Sequence, residues 1–353
     1  MAGLYVHFPF CASKCIYCDF YARVRKDWTP YVEAILKELS ERKDELQGVP
    51  PTTLYFGGGT PSLLPPEQLQ RVADAVRDAF GIDGFEEFTL EVNPDDVTPE
   101  KADAYRAMGA NRISIGVQSF CDGHLRWMRR RHTAEGAVAA FLQLREAGFD
   151  NLSLDLIFGF NGLADDQWED SVARSLALRP EHISCYQMMG RHADEDDGRC
   201  RRQYSMLQEC LGGAGYLQYE VSNYALPGRA SRHNSAYWAR EPYLGLGAGA
   251  HSFDGSRLRS WNTPDIDAYL KDRPRGSEQL DDREVLEEKL MLSLRTVRGL
   301  DLSSLSRAER KALDETTLEE LSRAGRLIID SDRIRIPKEE LFVSDSVIRL
   351  LFP

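Results

Sequence analysis

The chain has 353 residues, of which 42% are hydrophobic, and this is enough for one large globular domain or two ordinary ones. Its formal net charge of −12 argues against general electrostatic binding to nucleic acid or to anionic lipid. No apolar run approaches the roughly 18 to 20 residues of a membrane span, and no basic segment precedes the apolar residues of the first ten. We therefore expect a cytosolic protein with no membrane span and no nucleic-acid partner.

Short β-branched or aromatic runs alternate with longer segments of helical period through the first half of the chain. The predicted strands are residues 4–8, 53–57, 87–92, 112–117, 152–159 and 182–187. Helices are predicted over residues 30–46, 66–80 and 133–148, from apolar residues three and four apart and from Pro, Thr and Gly at their ends. This alternation is typical of a parallel sheet with helical crossovers, and six repeats predict an α/β fold with an incomplete (β/α)6 TIM-type barrel.

The pattern changes after residue 215. Residues 216–280 are rich in aromatic residues and glycine, so we expect an accessory region built from turns rather than from long helices. Residues 281–353 return to helical patterns, and two apolar runs on either side of Asp330, Ser331 and Asp332 predict a hairpin. The predicted domains are therefore a partial barrel at 1–215, the accessory region, and a small helical and winged domain at the end.

Polar or glycine-rich sequence follows the carboxyl end of each predicted strand, which is the end where barrels of this type build their sites. The first strand leads to the cysteine-containing stretch "CASKCIYC" and the second to "GGGTP" (57–61). The third ends at Glu91 and Asn93, the fourth at Gln118, the fifth carries Asp155, and the sixth ends at Tyr186 and Gln187. The agreement of six strand ends predicts a ligand site at this edge of the sheet.

Three cysteines, Cys11, Cys15 and Cys18, lie within eight positions. Together with His7 they could complete a tetrahedral zinc site. Their spacing also suits a cubane iron–sulfur cluster in which three irons take cysteine and the fourth iron is left open. We favour the cluster because structural zinc motifs usually combine two paired groups of ligands.

The CxxxCxxC motif formed by these cysteines resembles the signature of the radical S-adenosylmethionine (SAM) superfamily. In that superfamily the amino and carboxylate groups of SAM chelate the open iron, which explains why a fourth thiolate is missing. The resemblance implies a 4Fe-4S cluster and SAM as cofactors, together with an electron donor. It also implies SAM contacts by Tyr5, Tyr17, Gly58, Gly59, Thr60, Glu91, Gln118, Arg130 and Asp155.

Each of these residues also has an ordinary structural interpretation. The "GGGTP" segment can be a plain tight turn that needs positive φ, and any one of the polar residues can be a satisfied or solvated side chain. For Arg126, Arg129 and Arg131 we prefer such an interpretation, as a charged helix face.

Several longer stretches, among them "YVHFPFC", "YFGGGTPSLL" and "YLGLGAGAHSF", resemble the oxygen-independent coproporphyrinogen III dehydrogenase group and its HemW-type haem chaperone branch. The resemblance covers nearly the whole chain. The dehydrogenases carry a further cysteine two residues after the cluster motif, and this chain has Phe20 at that position. Coproporphyrinogen dehydrogenase activity is therefore not expected.

The stretch "HNSAYW", residues 233–238, matches the HNxxYW signature of the haem chaperone branch. The resemblance implies that His233 is a haem-ligand candidate and that Tyr237 and Trp238 cover a porphyrin face; the alternative for His233 is an ordinary loop histidine. Two departures from the family are "GFNGLADD" (159–166), where relatives have "GLPGQT", and a shortened segment at 188–200, for which we expect a more open lid.

The leading expectation is a haem-binding protein with a radical SAM core that delivers haem to acceptor proteins. The resemblance makes respiratory membrane proteins the expected recipients, reached by peripheral contact. The alternative is a radical SAM enzyme that acts on a tetrapyrrole.

Overall fold

A computed structural model describes residues 2–25 and 27–353 of the chain. Six parallel strands form the centre of its larger sheet, each paired with the next along the chain. They are β1 (Gly3–Phe8), β2 (Thr53–Gly58), β3 (Glu87–Val92), β4 (Arg112–Gln118), β5 (Leu152–Phe158) and β6 (His182–Gln187). All six predicted strands are confirmed, with ends that differ by one residue at most.

Helices connect these strands and cover the sheet. They are α1 (Trp28–Arg42), α2 (Pro66–Phe80), α3 (Pro99–Ala107), α4 (Asp122–Trp127), α5 (Ala134–Glu146) and α6 (Asp165–Leu178). The predicted bounds of α2 are confirmed; this helix ends where Gly81 adopts a φ of +62°. The side chain of Thr133 caps α5 by accepting from the Gly136 amide. The helix predicted over 30–46 is shorter, because its last turn, Lys43–Leu46, is a 3-10 helix.

The accessory region contains more strand than the sequence indicated. After α7 (Asp197–Gly213), strands β7 (Leu217–Gln218) and β8 (Asn223–Ala225) extend the β6 edge. The other edge continues from β1 through β9 (Tyr243–Leu246), β10 (His251–Phe253), β11 (Leu258–Asn262) and β12 (Arg275–Gln279), with α8 (Arg232–Trp238) before β9 and α9 (Ile266–Lys271) before β12. Within the described residues the sheet has twelve strands and stays open between β7 and β12. The incomplete barrel is therefore confirmed.

The C-terminal segment forms a second small sheet with helices around it. Its elements are α10 (Asp282–Leu294), β13 (Leu300–Asp301), α11 (Arg307–Ala312), α12 (Glu315–Arg323), β14 (Ile328–Ile329), β15 (Arg333–Arg335) and α13 (Ser344–Leu350). Strands β14 and β15 are antiparallel around Asp330–Asp332, so the predicted hairpin is confirmed. The exact domain boundaries stay a prediction.

The two faces of the parallel strands differ in polarity, and this positions the site. Alternate residues, such as Phe8, Phe56 and Phe88, are fully buried and pack edge to face in one core. Burying each such side chain contributes about 1.5–3 kcal/mol. The intervening residues, among them Glu91 and Asp155, are polar and line the opposite face. None of the helices in the described residues is long and apolar enough to cross a membrane.

Candidate functional site

A cavity of about 620 Å³ opens at the carboxyl ends of β1 to β6. Residues that follow or end all six strands line it, including the cysteine loop after β1 and residues 58–60 after β2. Parallel strands bring their carboxyl ends to one edge, which is why chain segments up to about 180 residues apart meet here. The cavity is thus located where the strand ends predicted a ligand site.

All three motif cysteines line this cavity as free thiols. The loop that carries them is closed at its base, where the Cys11 amide donates to the Arg23 carbonyl (3.0 Å). Burial raises the pKa of the Cys11 and Cys18 thiols. Two donors approach the sulfurs: the Thr60 hydroxyl lies 3.6 Å from Cys11 Sγ, and an Arg130 nitrogen lies 3.8 Å from Cys15 Sγ.

The three cysteines have the chemistry that an iron–sulfur cube requires. In a cube each thiolate binds a different iron, so three cysteines leave one iron without a protein ligand. All three line the same cavity as free thiols. Within residues 2–25 and 27–353, no group of three or more His, Cys, Asp or Glu side chains is placed so that it could hold a single metal ion.

His7, which the zinc interpretation needs as fourth ligand, is engaged elsewhere. Its Nε2 donates to the Tyr21 carbonyl (2.9 Å), and its Nδ1 therefore accepts from the Tyr5 hydroxyl (3.0 Å). Burial also lowers the pKa of His7 to about 4. Because both ring nitrogens are occupied, His7 does not complete a zinc site in this structure.

The glycines after β2 allow the chain to pass directly against the start of the cysteine loop. Gly58 has a φ of +103°, and the Gly59 amide donates to the Phe8 carbonyl (2.9 Å). A Cβ at Gly59 would lie 2.6 Å from the Phe8 oxygen and 2.7 Å from the Phe10 oxygen. The segment is thus a tight turn, and its residues also line the cavity. The interpretation as a turn is therefore compatible with the predicted contact to SAM.

Two buried acids, Glu91 and Asp155, face the cavity from β3 and β5. Glu91 accepts from the Tyr55 hydroxyl (2.7 Å), and Asp155 accepts from the Ser114 hydroxyl (3.2 Å). Burial raises the pKa of Glu91 to about 7, and it also raises the pKa of Asp155. Neither acid belongs to an ion pair within the described residues. A cationic ligand with hydroxyl or amino donors would therefore be stabilised here.

The remaining residues predicted to contact SAM divide into two groups. Tyr17, Gln118 and Arg130 line the cavity, and Arg130 is held by hydrogen bonds to the Asn93 side chain (2.6 Å) and to the Gly116 carbonyl (2.5 Å). Tyr5 does not line the cavity. Its hydroxyl donates to His7 Nδ1 (3.0 Å), and its ring lies 5.9 Å from the Tyr55 ring.

Sequence reasoning missed several cavity residues. One of them is Ser114, whose hydroxyl donates to Asp155. It lies two residues before Gly116 and four before Gln118 on β4, and because alternate residues of a strand share a face, the sequence could have placed it at the cavity with Gln118. The prediction of a charged helix face is wrong for Arg129 and Arg131. Because α4 ends at Trp127, these two arginines lie in the following loop and line the cavity.

His233, by contrast, lies at the opposite end of the strands. It packs against Gly3 and Thr53, the first residues of β1 and β2, whereas the cavity lies at the last residues of these strands. The Tyr55 side chain lies between His233 and the cavity: its ring is 5.1 Å from the His233 ring, and its hydroxyl donates to Glu91 at the cavity. The imidazole is buried, with Nδ1 bonded to the Thr53 hydroxyl (2.8 Å) and Nε2 bonded to the Tyr237 hydroxyl (2.8 Å). Burial lowers the pKa of His233 to about 3.

The other two residues of the motif are also packed. The Tyr237 ring lies edge-on to Tyr243, with centroids 4.6 Å apart, and the Arg295 guanidinium lies 4.1 Å above the Trp238 ring. The Glu87 carboxylate holds the start of α8 by accepting from the His233 amide (2.9 Å). In this conformation both imidazole nitrogens of His233 are engaged and Arg295 covers one face of Trp238, so haem ligation by His233 would require α8 to move.

The two departures from the family lie near the cavity. Of residues 159–166, the first six form a turn with Gly159 and Gly162 at positive φ, and the last two begin α6. The shortened segment contains a single 3-10 turn, Gly190–His192, and leaves the Met189 side chain 74% exposed at the cavity. The opening is not covered at this point.

Comparison with known proteins gives consistent matches. Residues 5–174 match the Radical SAM superfamily, and residues 280–343 match the HemN C-terminal domain. The chain is 35% identical to the heme chaperone HemW of Synechocystis, covering 85% of this chain and 79% of that one. It is 32% identical to heme chaperone HemW of Mycobacterium tuberculosis, covering 99% and 94% of the two chains.

Among solved structures, Escherichia coli coproporphyrinogen III oxidase (HemN), described as a radical SAM enzyme, superposes with a TM-score of 0.85. The match covers 99% of this chain and 90% of that chain at 22% identity, so it bears on the fold alone. The extent and identity of the sequence matches, together with the three-cysteine cavity, show that the chain belongs to the HemW heme chaperone family of the radical SAM superfamily.

Proposed function

We propose that this protein is a haem chaperone, which binds haem and delivers it to acceptor proteins, and that its radical SAM core binds one 4Fe-4S cluster and SAM. The relatives named as heme chaperones cover most of the chain. The observation that carries the proposal is Phe20. It is 68% exposed at the cavity, at the position where the resemblance places a further cysteine in the dehydrogenases.

The cavity residues have separate roles in this proposal. Cys11, Cys15 and Cys18 would each hold one iron of the cluster, and the remaining iron would be left for SAM. When reduced, such a cluster supplies the electron that cleaves the sulfonium of SAM. Glu91 and Asp155 accept hydrogen bonds from the ligand and balance its positive charge, and their ionisation is therefore favoured once the ligand is bound.

The backbone and basic side chains complete the SAM site. Gly58, Gly59 and Thr60 offer main-chain groups to the ligand at the cavity wall. The two glycines make this possible because the chain passes directly against His7, Phe8 and Phe10, where no side chain would fit. Arg130, Tyr17 and Gln118 line the wall next to the cluster loop. Arg130 is already fixed by two hydrogen bonds, so it loses little freedom when the ligand binds.

The proposal includes partners and a location that follow from the family resemblance. An electron donor reduces the cluster, and haem-accepting proteins, with respiratory membrane proteins as candidates, receive the haem. The protein acts in the cytoplasm and touches membranes only peripherally. His233, Tyr237 and Trp238 stay candidates for haem contact in a conformation in which α8 has moved.

A radical SAM reaction on a tetrapyrrole is the second candidate. The cavity of about 620 Å³ beside the cluster loop is large enough to admit part of a substrate, which favours this reading. Phe20 argues against the coproporphyrinogen version of it.

The deciding experiment starts from protein whose cluster has been reconstituted without oxygen. The protein is titrated with haem while the Soret band is followed, and a parallel sample is assayed for vinyl groups formed from coproporphyrinogen. Haem-loaded protein is then mixed with haem-depleted respiratory membranes. We expect a saturable Soret change, loss of haem to the membranes and no vinyl product. Vinyl formation without haem binding would replace the chaperone proposal by the enzyme.

A further inference from the structure

The mouth of the cavity carries an unusual concentration of exposed apolar side chains. The described residues expose twelve large hydrophobic side chains, and four of these line this one cavity. They are Phe20 (68% exposed), Val24 (65%), Tyr186 (43%) and Met189 (74%). Exposed apolar groups that cluster in this way mark a binding surface.

These four side chains come from two sides of the opening. Phe20 and Val24 lie in the segment after β1, whereas Tyr186 and Met189 lie at and after the end of β6. Strands β1 and β6 are the first and last of the six parallel strands, so the apolar groups flank the opening. We call these four residues the apolar rim. An occupant that contacts both sides must span the mouth.

Basic side chains lie in the same place. Lys14, Arg23 and Arg129 line the cavity, and none of them forms an ion pair within the described part of the chain. The chain as a whole carries a formal charge of −12. Three unpaired basic side chains beside one opening are therefore the opposite of its overall charge. Two exposed carboxylates, Asp19 and Asp95, also line the cavity, and Asp95 is paired with Arg131. The exposed lining residues therefore keep a surplus of positive charge. An anionic ligand would be attracted to this position.

The apolar rim and the three cations together fit one class of ligand, a flat apolar ring that carries carboxylates and a metal. Haem has this chemistry. A thioether is an established ligand of haem iron, and Met189 is the exposed methionine of the cavity, since the neighbouring Met188 is only 3% exposed. No histidine lines the cavity in the described residues.

We infer that haem binds across the apolar rim, with the Met189 sulfur as an axial ligand of the iron and with Lys14, Arg23 and Arg129 pairing with the propionates. This inference rests on the proposed function, that the protein binds haem. It places the haem at the cysteine cavity, at the carboxyl ends of the strands, whereas His233 is buried at their other end. It also means that bound haem covers the route by which SAM enters and leaves.

The first test uses full-length protein with a reconstituted cluster, titrated with haem. The variant Met189→Leu keeps the apolar surface but removes the sulfur, and Met291→Leu, 44% exposed on α10 and away from the cavity, is its matched control. We expect Met189→Leu to shift the Soret band and its magnetic circular dichroism and to weaken haem binding at least tenfold. The control should match the wild type.

The second test addresses the apolar and charged groups. Phe20→Asp should weaken haem binding at least tenfold, whereas Leu217→Asp, at a residue 56% exposed on β7, should not. The double variant Lys14→Glu and Arg129→Glu should weaken haem binding at least fivefold, compared with Lys271→Glu and Arg326→Glu as control. Iron content and unfolding midpoints of all variants are measured first, so that lost binding is not confused with lost structure.

The third test measures SAM exchange. Bound haem should slow the dissociation of labelled SAM severalfold in the wild type, but not in Phe20→Asp. Wild-type protein that does not bind haem would remove the proposed function itself. If the wild type binds haem while the rim variants behave as their controls and SAM exchange is unaffected, the apolar rim is not the site and only this inference falls.

Discussion

Substituting His233 by Ala should destabilise the protein even when no haem is present. The substitution removes hydrogen bonds to the hydroxyls of Thr53 and Tyr237, each of which contributes about 1 kcal/mol net. It also removes a buried ring that packs against Tyr55, with centroids 5.1 Å apart, and the resulting cavity costs about 1–3 kcal/mol. We therefore expect the free energy of unfolding to fall by about 3–5 kcal/mol.

Urea unfolding of haem-free, cluster-free protein, followed by far-ultraviolet circular dichroism, measures this change directly. His251→Ala is the matched control, because His251 is exposed and stacks on Trp261 (5.9 Å between centroids) with no hydrogen bond comparable to those of His233, so its loss should change stability by about 1 kcal/mol or less. An unchanged midpoint in His233→Ala would refute the reasoning, since a histidine held in the way described cannot be removed without effect. If the midpoint falls as expected, lost haem binding in His233→Ala alone cannot establish that His233 ligates iron.

Three further predictions concern the cavity. Gly59→Ala should prevent cluster assembly, because the added Cβ would meet the backbone that leads into the cysteine loop. Its iron content should be several-fold lower than that of the control Gly84→Ala, at a glycine with open space around it. The affinity for SAM should fall about tenfold from pH 8 to pH 6. The reason is that the pKa of Glu91 is raised to about 7, so that its ionised fraction drops from about nine-tenths to about one-tenth over this range. Calorimetry of Glu91→Gln should show a much weaker dependence of SAM affinity on pH. Anaerobically purified protein should be brown and Cys11→Ala much paler, whereas colourless wild-type protein that contains zinc would favour the structural metal site.

The sequence predicted those parts of the fold and site that depend on local period and on strand direction. Strand β3 and helix α2 have their predicted bounds, because alternation and end signals within each segment were sufficient. The cavity residues Glu91 and Asp155 were predicted to meet because parallel strands share one carboxyl edge.

The remainder depends on tertiary packing that no local pattern encodes. Strands β9 to β12 are only three to five residues long, and Gly247, Gly249 and Gly255 lie between them at positive φ, so the region reads as turns. The motif residue His233 has the right chemistry for a haem ligand, but the sequence does not indicate at which end of the sheet α8 packs. Arg129 was assigned to a helix that in fact ends at Trp127.

The account depends most on an iron cube held by three cysteines, with one iron left for SAM. Electron paramagnetic resonance of reduced, reconstituted protein, recorded before and after SAM is added, tests this directly. We predict a reduced 4Fe-4S signal that changes when SAM binds, and no such signal in Cys15→Ala. A cluster signal that is indifferent to SAM, or oxygen-protected protein without iron, would contradict the account.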